Sequence, residues 1–455
     1  MPASQDVHAD ERLLALVGSD LDVPLVGGEW VRYANFDNAA SAPALRQVAD
    51  TVAELLPYYG SVHRGAGFSS LVSTEAYTRA REIAHAFVGA RADDLVIFTR
   101  NTTDALNLLA AALPPGTAVL TFAGEHHANL LPWRRGDVRH LPIPASPAEA
   151  LDMLEAQLRA LGGRGALVAV TGASNVTGEL WPIEQIARVA HRHGARVALD
   201  AAQLAAHRPV DVAAWDVDYV AFSGHKLYAP FGAGVLVGRA DWLDAARPYL
   251  AGGGAVRSVT VDRVEWTHGS ARHEAGTPAA LGAVAIAAAV DALSETGWER
   301  IQQHEQALLD RLLAGLDAIA GVRTYELWER GHDRVGVVSF DVEGVDPGLL
   351  AAALSAEHGI GVRDGSFCAH PLMEHFAARD EGCRHAVRAS IGVGTSAAEI
   401  ERLLGAVEQI ARHGTRWSYV ERSGHVVPDP DPRPRPSLGG LLSGPVAVQG
   451  SACRG

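Results

Sequence analysis

From residue 94 to residue 238, short apolar runs alternate with stretches whose apolar residues recur at helical spacing. Candidate strands cover 95–99, 118–122, 166–171, 196–200, 219–223 and 234–238. Candidate helices at 103–113, 148–161 and 183–193 lie between some of them. Strands buried on both faces read as continuous apolar runs, and strands separated by helices imply βαβ units. The alternation therefore constrains the fold to α/β, a mostly parallel sheet covered on both faces. From about residue 301 a second pattern follows, with helices and then strands at 335–341 and 386–393. Its last helix opens at Ser396 with Glu399 three residues on, the spacing of a capping box. Residues 36–300 thus read as a large domain, and 1–35 with 301–414 as a smaller α+β domain. Beyond Gly414 the pattern stops. Residues 427–436 read VPDPDPRPRP, and proline removes donors and favours extended chain. The tail 415–455 reads as a poorly ordered extension.

Composition narrows the partners. Asp and Glu number 53 against 39 Lys and Arg, a net charge of −14. An acidic chain without clustered cations is not built for phosphate backbones, which argues against nucleic acid as a partner. The longest uncharged apolar stretch, 279–290, is too short to span a bilayer. The first twelve residues carry Asp6, Asp10 and Glu11 and lack the apolar core of a secretory signal. Three cysteines, Cys368, Cys383 and Cys453, form no CxxC pair and no disulfide framework. These features suggest a reducing cytoplasm. The histidines show no metal-ligand spacing, so no metal is expected, and no GxGxxG or GxxxxGK motif supports a nucleotide.

Lys226 is the single lysine among the 39 cationic residues. Codon bias alone would replace lysine by arginine wherever only charge matters. Arginine, however, neither loses its proton nor forms an imine, and lysine does both. Lys226 follows the candidate strand 219–223, and Asp200 ends the strand 196–200. Ligands of open α/β sheets bind beyond such strand ends. Alone, Asp200 reads as a helix N-cap and Lys226 as a solvated lysine. Together they match what pyridoxal phosphate (PLP) requires: an amine for its aldehyde and a carboxylate to keep its ring nitrogen protonated. The turn Thr99-Arg-Asn-Thr-Thr103 opens a helix and offers hydroxyls and N–H groups to a phosphate, with Ser223 and His225 as further donors. In isolation that turn is a weak signal, because threonine is a routine cap.

These residues belong to a longer series. Phe36-Asp-Asn-Ala-Ala40, Val62-His-Arg-Gly65, Glu125-His-His-Ala-Asn129, Ser174-Asn175, Asp200-Ala-Ala-Gln203, Phe222-Ser-Gly-His-Lys226, Glu274-Ala-Gly-Thr-Pro278, Cys368-Ala-His-Pro-Leu-Met373 and Arg388-Ala-Ser390 occur in order. From about Phe36 to Leu404 the chain resembles the class V, fold-type I PLP enzymes of the cysteine desulfurase and selenocysteine lyase branch. The resemblance implies a homodimer and L-cysteine or a related amino acid as substrate. It implies that Lys226 holds PLP, His126 stacks on the ring and is placed to shuttle protons, Asp200 pairs with the ring nitrogen and Gln203 meets the ring hydroxyl. Thr102, Thr103, Ser223 and His225 would hold the phosphate, with Thr277 reaching in from a neighbouring subunit. Asn175 and Arg388 would bind the substrate carboxylate. Arg363 reads either as a substrate contact or as a loop salt bridge. His127 reads as structural, and His191 and His193 as solvent-facing.

PLP alone does not select a reaction. Cys368 does so if it acts as a nucleophile: attack on the sulfur of cysteine yields alanine and a persulfide, which an acceptor protein would then receive. Its segment, Gly361-Val-Arg-Asp-Gly-Ser-Phe-Cys-Ala-His370, reads as a mobile loop. The bland alternative, a buried free thiol, suits Cys383; Cys453 has no assignment. Other PLP chemistry, as a C–S lyase, selenocysteine lyase, epimerase or aminotransferase, would leave Cys368 incidental. A PLP-sensing regulator would need a DNA-binding module, for which the first 35 residues are too short and too acidic. The chain also departs from the usual pattern at Ser41, Gly67, Ser366-Phe367 and His370, positions around the cysteine and the entrance.

Overall fold

A computed structural model describes residues 12–380 and 384–434. Seven strands build the main sheet: β1 (Asp94–Thr99), β2 (Ala118–Phe122), β3 (Asp137–Leu141), β4 (Ala166–Thr171), β5 (Arg196–Asp200), β6 (Tyr219–Ser223) and β7 (Gly234–Arg239), in the spatial order β1-β7-β6-β5-β4-β2-β3. The neighbours β6-β5, β5-β4, β4-β2 and β2-β3 pair in parallel. β7 runs antiparallel to both β6 and β1. This is the α/β fold expected from the apolar runs, with one unforeseen strand. β3 has the sequence DVRHL and lies at the sheet edge, where only Leu141 is fully buried.

Helices α1 (Thr102–Ala112), α2 (Pro147–Ala160) and α3 (Ile183–Arg192) form the expected connections. Ser146 caps α2 by accepting the Glu149 N–H, and Pro147 occupies its first turn, where its missing donor costs nothing. His191 on α3 does not face solvent. It bridges Asp216 and Asp218 with contacts of 2.9 and 2.8 Å. Helix α4 (Ala280–Thr296) is apolar on all sides and is a buried core helix, as such a pattern requires.

A four-stranded antiparallel sheet follows: β8 (Val322–Thr324), β9 (Val337–Val342), β10 (Arg363–Gly365) and β11 (Ala386–Ser390), in the order β8-β9-β11-β10. It packs with α5 (Trp298–Ala318), α6 (Pro347–His358) and α8 (Ala397–His413) around a second apolar core that includes Leu312, Phe340, Leu354 and Ile400. The intervening α7 (His370–Asp380) leads back from β10. Both halves of the Ser396/Glu399 capping box are present at α8. Ala34 and Phe36 join the second core, whereas Leu16 belongs to the first.

The expectation of a poorly ordered tail fails for residues 415–434. There β12 (Tyr419–Arg422) and β13 (His425–Pro428) form a hairpin. The buried Glu357 of α6 anchors it by accepting from Arg416 N, Trp417 N and the Tyr419 hydroxyl. A carboxylate meeting three donors offsets its own desolvation, so the strands dock despite the prolines that follow. Cys383, Cys453 and the rest of the tail lie outside the described residues.

Candidate active site

The carboxyl ends of β4, β5 and β6 and the N-terminus of α1 open onto one cavity of about 260 Å³. Thr102, Thr103, His126, Asn175, Asp200, Gln203, Ser223, His225, Lys226, Arg363, Cys368 and Arg388 all line it. Thr277 does not; it is exposed, outside the cavity of its own chain.

One end is built for an anion. Asn101 caps α1 by accepting the Asp104 N–H at 2.9 Å, which turns Thr102 and Thr103 into the first helical turn. Thr102 N donates to Ser223 Oγ at 2.8 Å, and the two hydroxyls are 2.7 Å apart. β7 must pass very close behind: a Cβ on Gly234 would lie 2.5 Å from Asn101 Cα. Hydroxyls and a positive helix end at one place favour a phosphate.

The centre carries the proton chemistry. Burial pulls the Lys226 ammonium down to about 8, against the upward pull of the Asp200 carboxylate. Burial raises Asp200, while the Ala202 N–H and Lys226 draw it back. Burial, with the Lys226 charge next, lowers His126 to about 3, so its ring is neutral. His126 Nδ1 accepts the Ala128 N–H at 3.0 Å, which leaves the ring proton on Nε2. Gln203 donates from Nε2 to Ala39 O at 2.8 Å.

The opposite end is cationic. Arg363 and Arg388 stand directly across from each other on β10 and β11. Such a like-charge pair is unfavourable without an anion. Arg388 donates to Asn175 O at 2.8 Å and meets Asp37 at 3.4 Å; its Nε–H, closed off from solvent, has no acceptor among the described residues. Burial lowers Arg388 to about 10, with Asp37 opposing. A guanidinium lining a cavity is a place for a carboxylate.

Cys368 sits at this end, within electrostatic reach of Lys226 and Arg388. The mobile loop expected around it is a short turn between β10 and α7, tied down on both sides. Asn175 Nδ2 donates to Phe367 O, and His127 N to Cys368 O, both at 2.8 Å. His127 thus has the structural part expected of it, and its ring packs edge-on against His370 at 4.6 Å.

Two acids quoted in motifs but given no role also belong here. Glu125 is fully buried and accepts from Asn129 Nδ2 and Thr171 N, each at 2.9 Å. Burial, with the Asp200 charge adding, pushes it up to about 8. Burial likewise raises Asp37, although Arg388 and Arg363 pull it down.

One amine, one buried carboxylate beside it and a hydroxyl-rich helix end form the donor set that PLP needs, and the Arg388 guanidinium lining the same cavity suits an amino acid's carboxylate. The chain belongs to the aminotransferase class-V family, whose model matches residues 34–403. Within it, the chain falls in the branch of cysteine desulfurases. The cysteine desulfurase of Pectobacterium atrosepticum is 36% identical over 407 residues, covering 86% of this chain and 97% of that one. That of Synechococcus elongatus is 35% identical over 387 residues, covering 82% of this chain; the chain spans only 60% of that longer protein. The apo structure of the cysteine desulfurase from Thermococcus onnurineus NA1 superposes with a TM-score of 0.77 at 34% identity, covering 87% of this chain and 97% of that one. The family is one of PLP-dependent enzymes.

Proposed function

We propose that the enzyme converts L-cysteine to L-alanine and leaves the sulfur as a persulfide on Cys368, for transfer to an acceptor protein. One observation carries this reading: a single cavity holds Cys368 together with the lone amine of Lys226 and the guanidinium of Arg388. Lys226 would hold PLP, Asp200 its ring nitrogen, and Thr102, Thr103, Ser223 and His225 its phosphate. When bound, the cofactor supplies an electron sink for charge developing at the substrate's α-carbon.

The remaining work falls to the chain's own side chains. Arg388 takes the substrate carboxylate as a charge-assisted pair, with Asn175 and Arg363 beside it. Lys226 Nζ, drawn down to about 8, exchanges a proton with the substrate carbon near neutral pH. His126, neutral with its proton on Nε2, would meet the cofactor as a hydrogen-bond donor rather than as a fixed cation. Cys368 Sγ, as thiolate, attacks the substrate sulfur. The new S–S bond forms as the Cβ–S bond breaks, its electron pair stays on the substrate carbon, and a proton there completes alanine.

Thr277 lies outside its own cavity, which supports a homodimer in which it serves the neighbouring phosphate site. Sedimentation of an active monomer would refute that arrangement. For the reaction, wild type and Cys368→Ala are incubated with L-cysteine and reductant, and alanine, sulfide and pyruvate are assayed. Alanine and sulfide should fall to background in the variant. Unchanged formation would sink the Cys368 step, and pyruvate in place of alanine would point to β-elimination.

A further inference from the structure

We propose that Asn175 is a positioning residue for Cys368: its side-chain amide holds the cysteine turn closed until an incoming carboxylate draws the amide away. The inference rests on the reading of the cavity as an amino-acid site.

Phe367 and Cys368 have φ of 53° and 55°. Two successive residues with side chains in the left-handed region are strained, and such a turn persists only when its surroundings hold it. The holders can be named. Asn175 Nδ2 donates to Phe367 O at 2.8 Å, His127 N to Cys368 O at 2.8 Å, and Ala369 N to Ser366 O at 2.9 Å. The Arg388 guanidinium lies 5.1 Å from the centre of the Phe367 ring.

Two of these holders also face the cavity. Arg388 donates to Asn175 O at 2.8 Å, which ties the guanidinium to the Asn175 backbone. Arg388, Asn175 and Phe367 line the same cavity, so a carboxylate that pairs with the guanidinium there arrives beside the Asn175 amide. An ionised acceptor outcompetes a neutral carbonyl for the same donor. Phe367 O then loses its donor, Arg388 turns from the Phe367 ring to the carboxylate, and the strained turn loses two of its four ties. Cys368 becomes free to move only after an amino acid is seated. An amine without a carboxylate would leave the turn closed.

Amide hydrogen exchange of the holoenzyme reads this directly, because His127 N and Ala369 N are the donors that the closed turn protects. L-alanine should speed exchange at both amides by roughly five-fold, the worth of one neutral hydrogen bond. Ethylamine, which is alanine without its carboxylate, should leave both unchanged. Asn175→Asp, which keeps the size and removes the donor, should exchange at the faster rate without ligand, and L-alanine should add nothing. The proposal is overturned if L-alanine leaves wild-type protection unchanged or raises it, as it would if the amide's second N–H took the carboxylate while the first stayed on Phe367. It is equally overturned if ethylamine acts as alanine does, or if Asn175→Asp exchanges at the wild-type rate. The wild-type comparisons need no variant to fold. Turnover of L-cysteine is measured on the same samples: alanine formation with unmoved amides removes the latch alone, and moving amides without alanine formation remove the desulfurase reading alone.

Discussion

Lys226 is half-buried near the Asp200 carboxylate and the Arg388 guanidinium, and its ammonium is drawn down to about 8 by loss of water. A free lysine titrates near 10.4. Capture of PLP by cofactor-free enzyme requires the neutral amine, so its rate should rise with pH to a midpoint near 8 and then level off. Asp200 supplies the largest force holding the proton on. Asp200→Asn should therefore move that midpoint below 8 and weaken cofactor retention; stopped-flow absorbance of the bound cofactor measures both. Borohydride reduction of the holoenzyme should then place the cofactor's mass on the peptide containing Lys226, and Lys226→Arg should carry none. The groups that do chemistry were readable from sequence because few residue types can replace them: an amine, an acid at a strand end, a thiol. The parts played by Asp37 and Glu125 were not readable, because both depend on burial that distant segments create. Burial, with the Asp200 charge adding, pushes Glu125 up to about 8 against the hydrogen bonds from Asn129 and Thr171, which pull it down.

At the scale of elements, the helix caps and the central strands follow from local pattern, whereas the sheet edge and the tail do not. β3 is half-exposed and alternates charged with apolar residues, so it lacks the apolar run that marks its neighbours. The hairpin at 419–428 was hidden by the proline run beyond it. Ser423 and Gly424, with φ of 52° and 76°, make a two-residue turn of left-handed residues, and Ser-Gly between Val420 and Val426 was the overlooked signal. Its docking depends on Glu357. Glu357→Ala strands the donors of Arg416, Trp417 and Tyr419 and should destabilise the small core by about 2 kcal/mol. Limited proteolysis should then cut first between residues 415 and 434; a variant as resistant as wild type would show that the apolar contacts of the hairpin suffice. His191 adds a pH-dependent tie between α3 and the sheet. Its pKa is raised, chiefly by the hydrogen bond to Asp218. Its folded state binds the proton more tightly than the unfolded chain does. The stabilisation is therefore complete below the unfolded value near 6.5 and fades as pH rises through the raised one. The denaturation midpoints of wild type and His191→Gln should converge on going from pH 6 to alkaline pH.

The whole molecule joins two cores across the cavity, and the joining residues are polar. Arg388, on the small sheet, reaches Asn175 O beyond β4 of the large sheet and Asp37 in the segment between the cores. Ser390 Oγ accepts the Ala39 N–H and donates to Phe36 O. No local pattern announces this seam, since it follows from the register that sets Arg363 opposite Arg388 and from contacts between segments far apart in sequence. An amino acid bound in the cavity is held from both sides, so its binding energy should stabilise the molecule as one unit. With L-alanine at one hundred times its Kd, linkage predicts about 2.7 kcal/mol of added stability for the holoenzyme. Removing a hydrogen-bonded charge costs about 1.5–3 kcal/mol of binding, roughly a ten- to hundred-fold rise in Kd. In Arg388→Ala the same alanine concentration should then add only about 0.4–1.4 kcal/mol. Urea unfolding with and without L-alanine gives both numbers. An undiminished gain in the variant would mean that the small core contributes nothing to amino-acid capture, and that the carboxylate is held from the large sheet alone.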